Sequence, residues 1–296
     1  MPSSVSLYPK TFGLLRNPQV AIDIAALDPI ADCERIVHLV ASYEFGFDIA
    51  RVLELALFHT YGSVSVSKLL DSTNEFSKNG QKRYDDTRLL ISHFLEDGFS
   101  SDYGQRAIAR MNSIHGHFKI PNDDYVFVLS TFITYPIDWL EQYGYRAMTV
   151  KEKLAWFHFF REVGKMMGLS GIPETLEGFR AWVANYEKRE LVFAPPNQRV
   201  ADATVAIFIG WYPPGLKWTV KPAVRALIRD DLREAFGYQP APAWLRAVLP
   251  RVLKARAIFK RYFHIERTPR SITNTRNRTY PGNSYEIESI KPTYQK

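Results

Sequence analysis

The 296-residue chain reads as an all-α protein, a single globular domain of about ten helices. Three observations carry that reading. Apolar residues recur at the i, i+3, i+4, i+7 spacing of a helix face in segment after segment, and nothing alternates apolar and polar residues for long, as a half-buried strand would. Hydrophobic residues make up 46% and charged residues 23%, a composition that supports a packed core, and aromatics reach 14%. No internal repeat and no long linker divides the chain; YPPGLK, residues 212–217, is the one soft break.

In order along the chain, residues 1–27 are punctuated by proline and read as an irregular N-terminal arm. The helical body spans residues 28–265. Asp28 and Pro29 suit the N-cap and first position of its first helix, with Asp32 and Glu34 placing negative charge where the helix dipole favours it. Phe47 to Gly62 is apolar on most faces and should be deeply buried, with His59 near its end. Residues 64–76 are Ser-rich, a helical turn or loop. Gly80 to Gly98 and Asp102 to Ile120 follow as helices. Asn122 is the expected cap of the next helix, which Pro136 should kink or end. Thr149 and Glu152 have capping-box spacing before the stripe Trp156, Phe159, Phe160, Val163, Met166 and Met167, a pattern of core more than of a cofactor box. Pro173 opens another helix, and residues 200–211, 221–237 and 242–263 are helical in pattern. Residues 266–296, rich in Thr, Arg, Asn, Pro and Ser, read as an extended or disordered basic tail.

Charge is uneven. From Lys217 onward there are 17 Lys and Arg against 6 Asp and Glu, so the rest of a chain of net charge +7 is acidic. A basic end of this kind suits anionic lipid headgroups, nucleic acid or cofactor carboxylates, although most such excess is solvated surface. No zinc-finger or aromatic-sheet motif supports nucleic-acid binding. The lone Cys33 excludes an internal disulfide and a multi-cysteine metal site. No apolar run reaches bilayer length and no signal peptide is read at the N-terminus, so the expectation is a cytoplasmic protein or one peripheral to an intracellular membrane. Gly-x-Ser-x-Gly, phosphate-loop and Gly-x-Gly-x-x-Gly patterns are absent, which disfavours hydrolase, kinase and dinucleotide-dependent classes.

Two helices carry the candidate chemistry. In Asp102 to Ile120, Ala107, Ile108, Met111, Ile114 and Phe118 form the apolar face. His115 lies four residues after Met111 and shares that face, whereas His117 is rotated by roughly 200°. A buried imidazole needs a partner. A metal, often a haem iron, is one; a backbone carbonyl is the blander one. In Gly80 to Gly98, stepping back from Leu90 along the stripe reaches Thr87 and then Arg83. A guanidinium and a hydroxyl thus stand one turn apart on a core-facing stripe. An anion nearby would explain the arginine; the alternatives are a salt bridge to Asp71 or Asp86, with Thr87 bonded to its own helix. Arg110 and Lys119 flank the His115 stripe and are further candidates to hold cofactor carboxylates.

The ordered runs KRYDDT, AIARMNSIHGHFKIPNDDY, LSTF, PIDWLEQYGYR and FFREVGKMMGLSGIP resemble the family uniting mpaB-type oxygenases and rubber oxygenases (latex-clearing proteins), over roughly residues 35–270 and with closer likeness to the mpaB-type branch. The resemblance implies globin-like helical packing around a haem b pocket. It implies a dioxygen-dependent oxidation or cleavage of a carbon–carbon double bond in a lipophilic, isoprenoid-like substrate. It makes His115 the iron ligand, with Arg83 and Thr87 in the place of a distal Arg-x-x-x-Thr pair. Rubber-cleaving members carry a lysine directly before that threonine; here Asp86 stands there. Their upstream glutamate has no counterpart at Ser65 to Lys68, which leaves Asp71 and Glu75 as the nearby carboxylates. Three alternatives stay open. One is a haem- or lipid-binding helical protein without turnover, one a purely structural helical protein. The third is a non-haem iron site using His115 with His59, His93 or His158, for which no 2-His-1-carboxylate spacing exists.

Overall fold

A computed structural model describes residues 18–263, 270–275 and 277–293. Among these residues it contains thirteen α-helices and no β-strand: α1 (Gln19–Ala26), α2 (Cys33–Leu39), α3 (Gly46–Thr60), α4 (Val64–Ser72), α5 (Glu75–Asp97), α6 (Asp102–His115), α7 (Asn122–Tyr143), α8 (Val150–Met166), α9 (Leu176–Glu190), α10 (Pro195–Gly210), α11 (Lys217–Leu227), α12 (Asp230–Ala235) and α13 (Ala243–Tyr262). A π-helical turn, Val40–Glu44, continues α2. The all-α expectation holds, with more and shorter helices than the ten expected.

The departures have local causes. The expected N-terminal arm is helical from Gln19, because Val20 and Ile24, one turn apart, bury against the body. Residues 1–17 of that arm lie outside the described residues. Asp28 does not cap a helix at Pro29. Its Oδ1 accepts from the Ile30 and Ala31 amides in a local turn, and α2 starts only at Cys33. Residues 64–72 of the Ser-rich segment form a full helix capped by Ser63, whose Oγ accepts from the Val66 amide. After it, α5 starts at Glu75, and its non-helical kink is at Asn79. The pattern at 221–237 breaks in two, since Ile228 turns extended before Asp230 and Asp231 begin α12.

Pro136 neither ends nor breaks α7. A proline has no N–H to offer the carbonyl four residues back. That carbonyl, on Phe132, accepts instead from Trp156 Nε1 of α8 at 3.0 Å, so the lost bond is replaced between helices. The Thr149–Glu152 capping box forms as expected.

The main core gathers α2, α3, α5, α7, α8 and α9 around Trp156, Phe159, Phe160 and Phe179. A second cluster joins the end of α3 to α10, α11 and α12 through Phe58, Val200 and Phe236. The third lies between α5, α6 and the C-terminal segment, with Leu89, Ala107, Ile287 and Ile290 buried. The described residues of the expected tail are therefore a packed strap: extended for the most part, but not disordered. Arg106 binds Glu288, Glu96 accepts from Ser271 and Thr273, and Asp85 accepts from Thr279.

Candidate active site

A large apolar pocket opens between α3, α4, α5, α6, α7 and α8, with an empty volume of about 1340 Å³ counting its mouth. Leu57, Ile91, Phe94, Met111, Phe132 and Phe160 are among the apolar lining of its wall. Few polar groups interrupt that wall, and the candidates from the two helices are among them: Arg83, Thr87 and His115 all line it.

Their placement follows from helix geometry. Arg83, Thr87, Ile91 and Phe94 are successive steps of one stripe of α5. His115 is the last residue of α6 and rides on the stripe of Met111 and Ile114. The α5–α6 connection is tight. Gly98 adopts φ +87° and Ser101 caps α6 by accepting from the Gly104 amide at 2.9 Å.

His115 packs edge-on against Tyr125, ring centroids 5.3 Å apart. Its Nδ1 is buried and has no hydrogen-bond partner among the described residues. The backbone carbonyl weighed as its partner is thus not found at that nitrogen. Burial, helped by the positive charge of Arg83, pushes its pKa down to about 4. At neutral pH the ring is uncharged and keeps a nitrogen lone pair for a Lewis acid.

Arg83 has no carboxylate partner among the described residues. The carboxylates considered for it are taken: Asp71 pairs with Arg199 at 2.6 Å, and Asp86 pairs with Lys82 and accepts from the Tyr280 hydroxyl. Arg83 Nη1 instead donates to Thr87 Oγ1 at 2.6 Å, and that hydroxyl donates back to the Arg83 carbonyl at 2.9 Å. The bond of Thr87 to its own helix, one of the two readings, is therefore present. Its hydroxyl is tied to its own helix and faces the pocket.

Arg110 and Lys119 do not join the site. Arg110 Nε donates to the Ile290 carbonyl of the strap at 2.5 Å, and Lys119 is exposed. The other histidines weighed as iron ligands are engaged elsewhere. His59 Nε2 bonds Glu187 at 2.7 Å and its Nδ1 bonds the Tyr135 hydroxyl; His93 sits between Asp97 and Tyr285; His158 faces Glu162.

Two carboxylates line the pocket. Glu75 accepts from Thr293 of the strap. Asp124, in the first turn of α7, accepts from Ser65 Oγ at 2.5 Å and Tyr186 Oη at 2.6 Å and is 6% exposed. Sequence reasoning passed over Asp124. The signal was present: it stands four residues before Val128 on the pocket-facing stripe of α7, the same step that led from Thr87 to Arg83.

The family model described as the catalytic domain of "ER-bound oxygenase mpaB/B'/Rubber oxygenase" matches residues 60–261, more than half of the chain and all of the helices that carry these groups. The chain belongs to this family. Among relatives of this mpaB/rubber oxygenase member, the ER-bound oxygenase mpaB' of Penicillium brevicompactum is 30% identical over 246 residues, 75% of this chain and 57% of that protein. The ER-bound oxygenase mpaB of Penicillium roqueforti (strain FM164) is 28% identical over 221 residues, 67% of this chain and 72% of that protein. The ER-bound oxygenase mpaB of Penicillium brevicompactum is 30% identical over 187 residues, 57% and 48% respectively. The chain thus spans about half the length of two of these relatives. A solved structure of latex clearing protein LCP in the closed state is 16% identical and covers 79% of this chain and 67% of that one, with a TM-score of 0.45. In this family member Asp86 turns from the pocket toward Lys82 and Tyr280, so the position where rubber-cleaving members carry lysine adds nothing to the cavity wall.

Proposed function

We propose that this chain is an oxygenase that binds haem b through His115 and uses dioxygen to oxidise or cleave a carbon–carbon double bond in a lipophilic, isoprenoid-like substrate. The observation that carries the reading is the meeting of an unpartnered, uncharged His115 with Arg83 and Thr87 in one apolar pocket. The residues present fit such a group. A buried imidazole nitrogen without a hydrogen bond is costly unless something occupies it. A guanidinium without a carboxylate suits a cofactor propionate or other anion. Bound haem supplies one-electron and dioxygen chemistry.

The chain's own residues have three tasks in this reading. His115 holds the metal. The Phe, Met and Leu wall excludes water and accepts an apolar chain. Arg83 presents N–H donors toward the cavity, where charge that develops on oxygen is stabilised in a low dielectric, and Thr87 Oγ1 holds that guanidinium in place. Asp124 and Glu75 are the carboxylates available to accept a proton, the first held by two hydroxyl donors.

The relatives are named ER-bound, and the same proposal includes peripheral membrane contact through the basic C-terminal region. Along α13, Trp244, Val252, Ile258 and Tyr262 are exposed beside Arg246, Arg251, Lys254 and Arg261. Among the described residues no helix is long and apolar enough to cross a membrane.

The test incubates haem-loaded protein with farnesylated phenols, carotenoid-like polyenes and short polyisoprenes under labelled dioxygen. Carbonyl products that carry the label are expected, and Thr87→Val should keep haem and melting temperature while lowering turnover by about 10-fold or more. Bound, reducible haem with no oxygen-dependent product across the panel would favour the haem- or lipid-carrier alternative.

A further inference from the structure

A second pocket lies on the other side of α5. Gln81, Tyr84, Asp85 and Arg88 form a stripe there, rotated away from Arg83 and Thr87. Arg51 of α3, Trp211 at the end of α10 and Asn277, Arg278 and Pro281 of the strap complete the pocket, which has an empty volume of about 1100 Å³ including its opening.

Its chemistry is unlike that of the large pocket. Three guanidiniums converge on it. Among the described residues Arg88 makes no ion pair or hydrogen bond, and its Nε is buried and unpartnered. Arg51 pairs with Glu54 through Nη2 at 2.8 Å but leaves its own Nε buried without a partner. Arg278 lies over the Trp211 ring at 5.5 Å and, among the described residues, pairs with no carboxylate. The fourth donor is Asn277. It is only 8% exposed, its Oδ1 accepts the Tyr280 amide at 2.6 Å, and its Nδ2 is left buried and unpartnered. Because Oδ1 is committed, the amide cannot turn to hide Nδ2. The carboxylates close by are already used. Asp85 accepts twice from Thr279, and Glu54 accepts from Arg51 and the Tyr84 hydroxyl.

Buried donors without acceptors are costly, and clustered guanidiniums repel one another. One oxyanion resolves both, because each of its oxygens accepts several charge-assisted hydrogen bonds in the fork geometry arginine offers. We propose that this pocket is a binding site for an oxyanion group, a phosphate or a carboxylate, held by Arg51, Arg88, Arg278 and the Asn277 amide. Bound there, the anion ties the strap to α3 and α5. The site stands independently of any cofactor in the large pocket.

The full-length chain is titrated with inorganic phosphate, and separately with citrate as the carboxylate probe, by calorimetry and thermal melting. Chloride holds the ionic strength constant. Saturable binding by one probe and a rise in melting temperature with its concentration are expected. Affinity should drop at least 10-fold in Arg88→Gln and in the surface variant Arg278→Gln, and stay unchanged in Arg199→Gln and His115→Ala. The stronger probe identifies the anion class. A response that does not saturate, or that matches wild type in a folded Arg278→Gln protein, overturns the proposal.

Discussion

His115 carries an observable cost at the residue scale. Its ordinary pKa of 6.5 falls to about 4 in the fold, through burial first and the Arg83 charge second. The unfolded chain therefore binds the proton that the folded chain refuses between these values. Stability is fully present above about pH 6.5 and is lost as pH falls toward 4, by up to about 3 kcal/mol at 1.36 kcal/mol per pKa unit. In cofactor-free protein, His115→Gln should flatten that part of the pH–stability curve, read by urea melts from pH 7 to 4. An unchanged slope would place the titrating group elsewhere. That Arg83, Thr87 and His115 face inward was legible from stripe arithmetic, because a side chain's face depends on its position along a helix. Arg110 and Lys119 misled for the same reason. They flank the stripe in sequence, but one meets the strap and the other solvent, and the strap's path has no local signature.

At the scale of elements, the α5–α6 hairpin sets the distance between Arg83 and His115. A Cβ on Gly104 would come within 1.9 Å of the Gly98 carbonyl oxygen, a backbone atom that cannot rotate away. Gly104→Ala should therefore push α6 from α5 and destabilise the protein by about 2–3 kcal/mol, with weaker cofactor uptake as a second readout. A variant as stable as wild type would show that the hairpin adjusts freely. Helix existence was readable throughout, since period and capping residues are local. Continuity was not. Pro136 reads as a break until Trp156 is seen to occupy the Phe132 carbonyl, and no local pattern reports a donor that arrives from another helix. The α9–α3–α7 junction is similar: His59 joins Glu187 and Tyr135, and burial notwithstanding, bonds from His59 and Arg229 hold the Glu187 carboxyl down to about 2.

Over the whole molecule, the basic C-terminal end divides into a part that folds back and a part that faces out. The strap spends Arg106 and Arg110 partners on closing α6, whereas α13 leaves aromatic and basic residues exposed together. Binding to vesicles with anionic headgroups should exceed binding to neutral ones. It should fall at least 5-fold in the double variant Trp244→Ser/Tyr262→Ser and weaken with salt; equal sedimentation with both vesicle types would remove the membrane reading. The order of the strap was hidden from the sequence because its composition is polar and much of its anchoring is through polar residues such as Thr273 and Asn277, with Ile287 and Ile290 as apolar anchors. The central claim, that the apolar pocket holds haem through His115, is tested most directly by the visible–ultraviolet spectrum of purified, haem-reconstituted protein. Wild type and His117→Ala are predicted to show a full Soret band, and folded His115→Ala to have lost it. A full haem complement in His115→Ala protein would contradict the account.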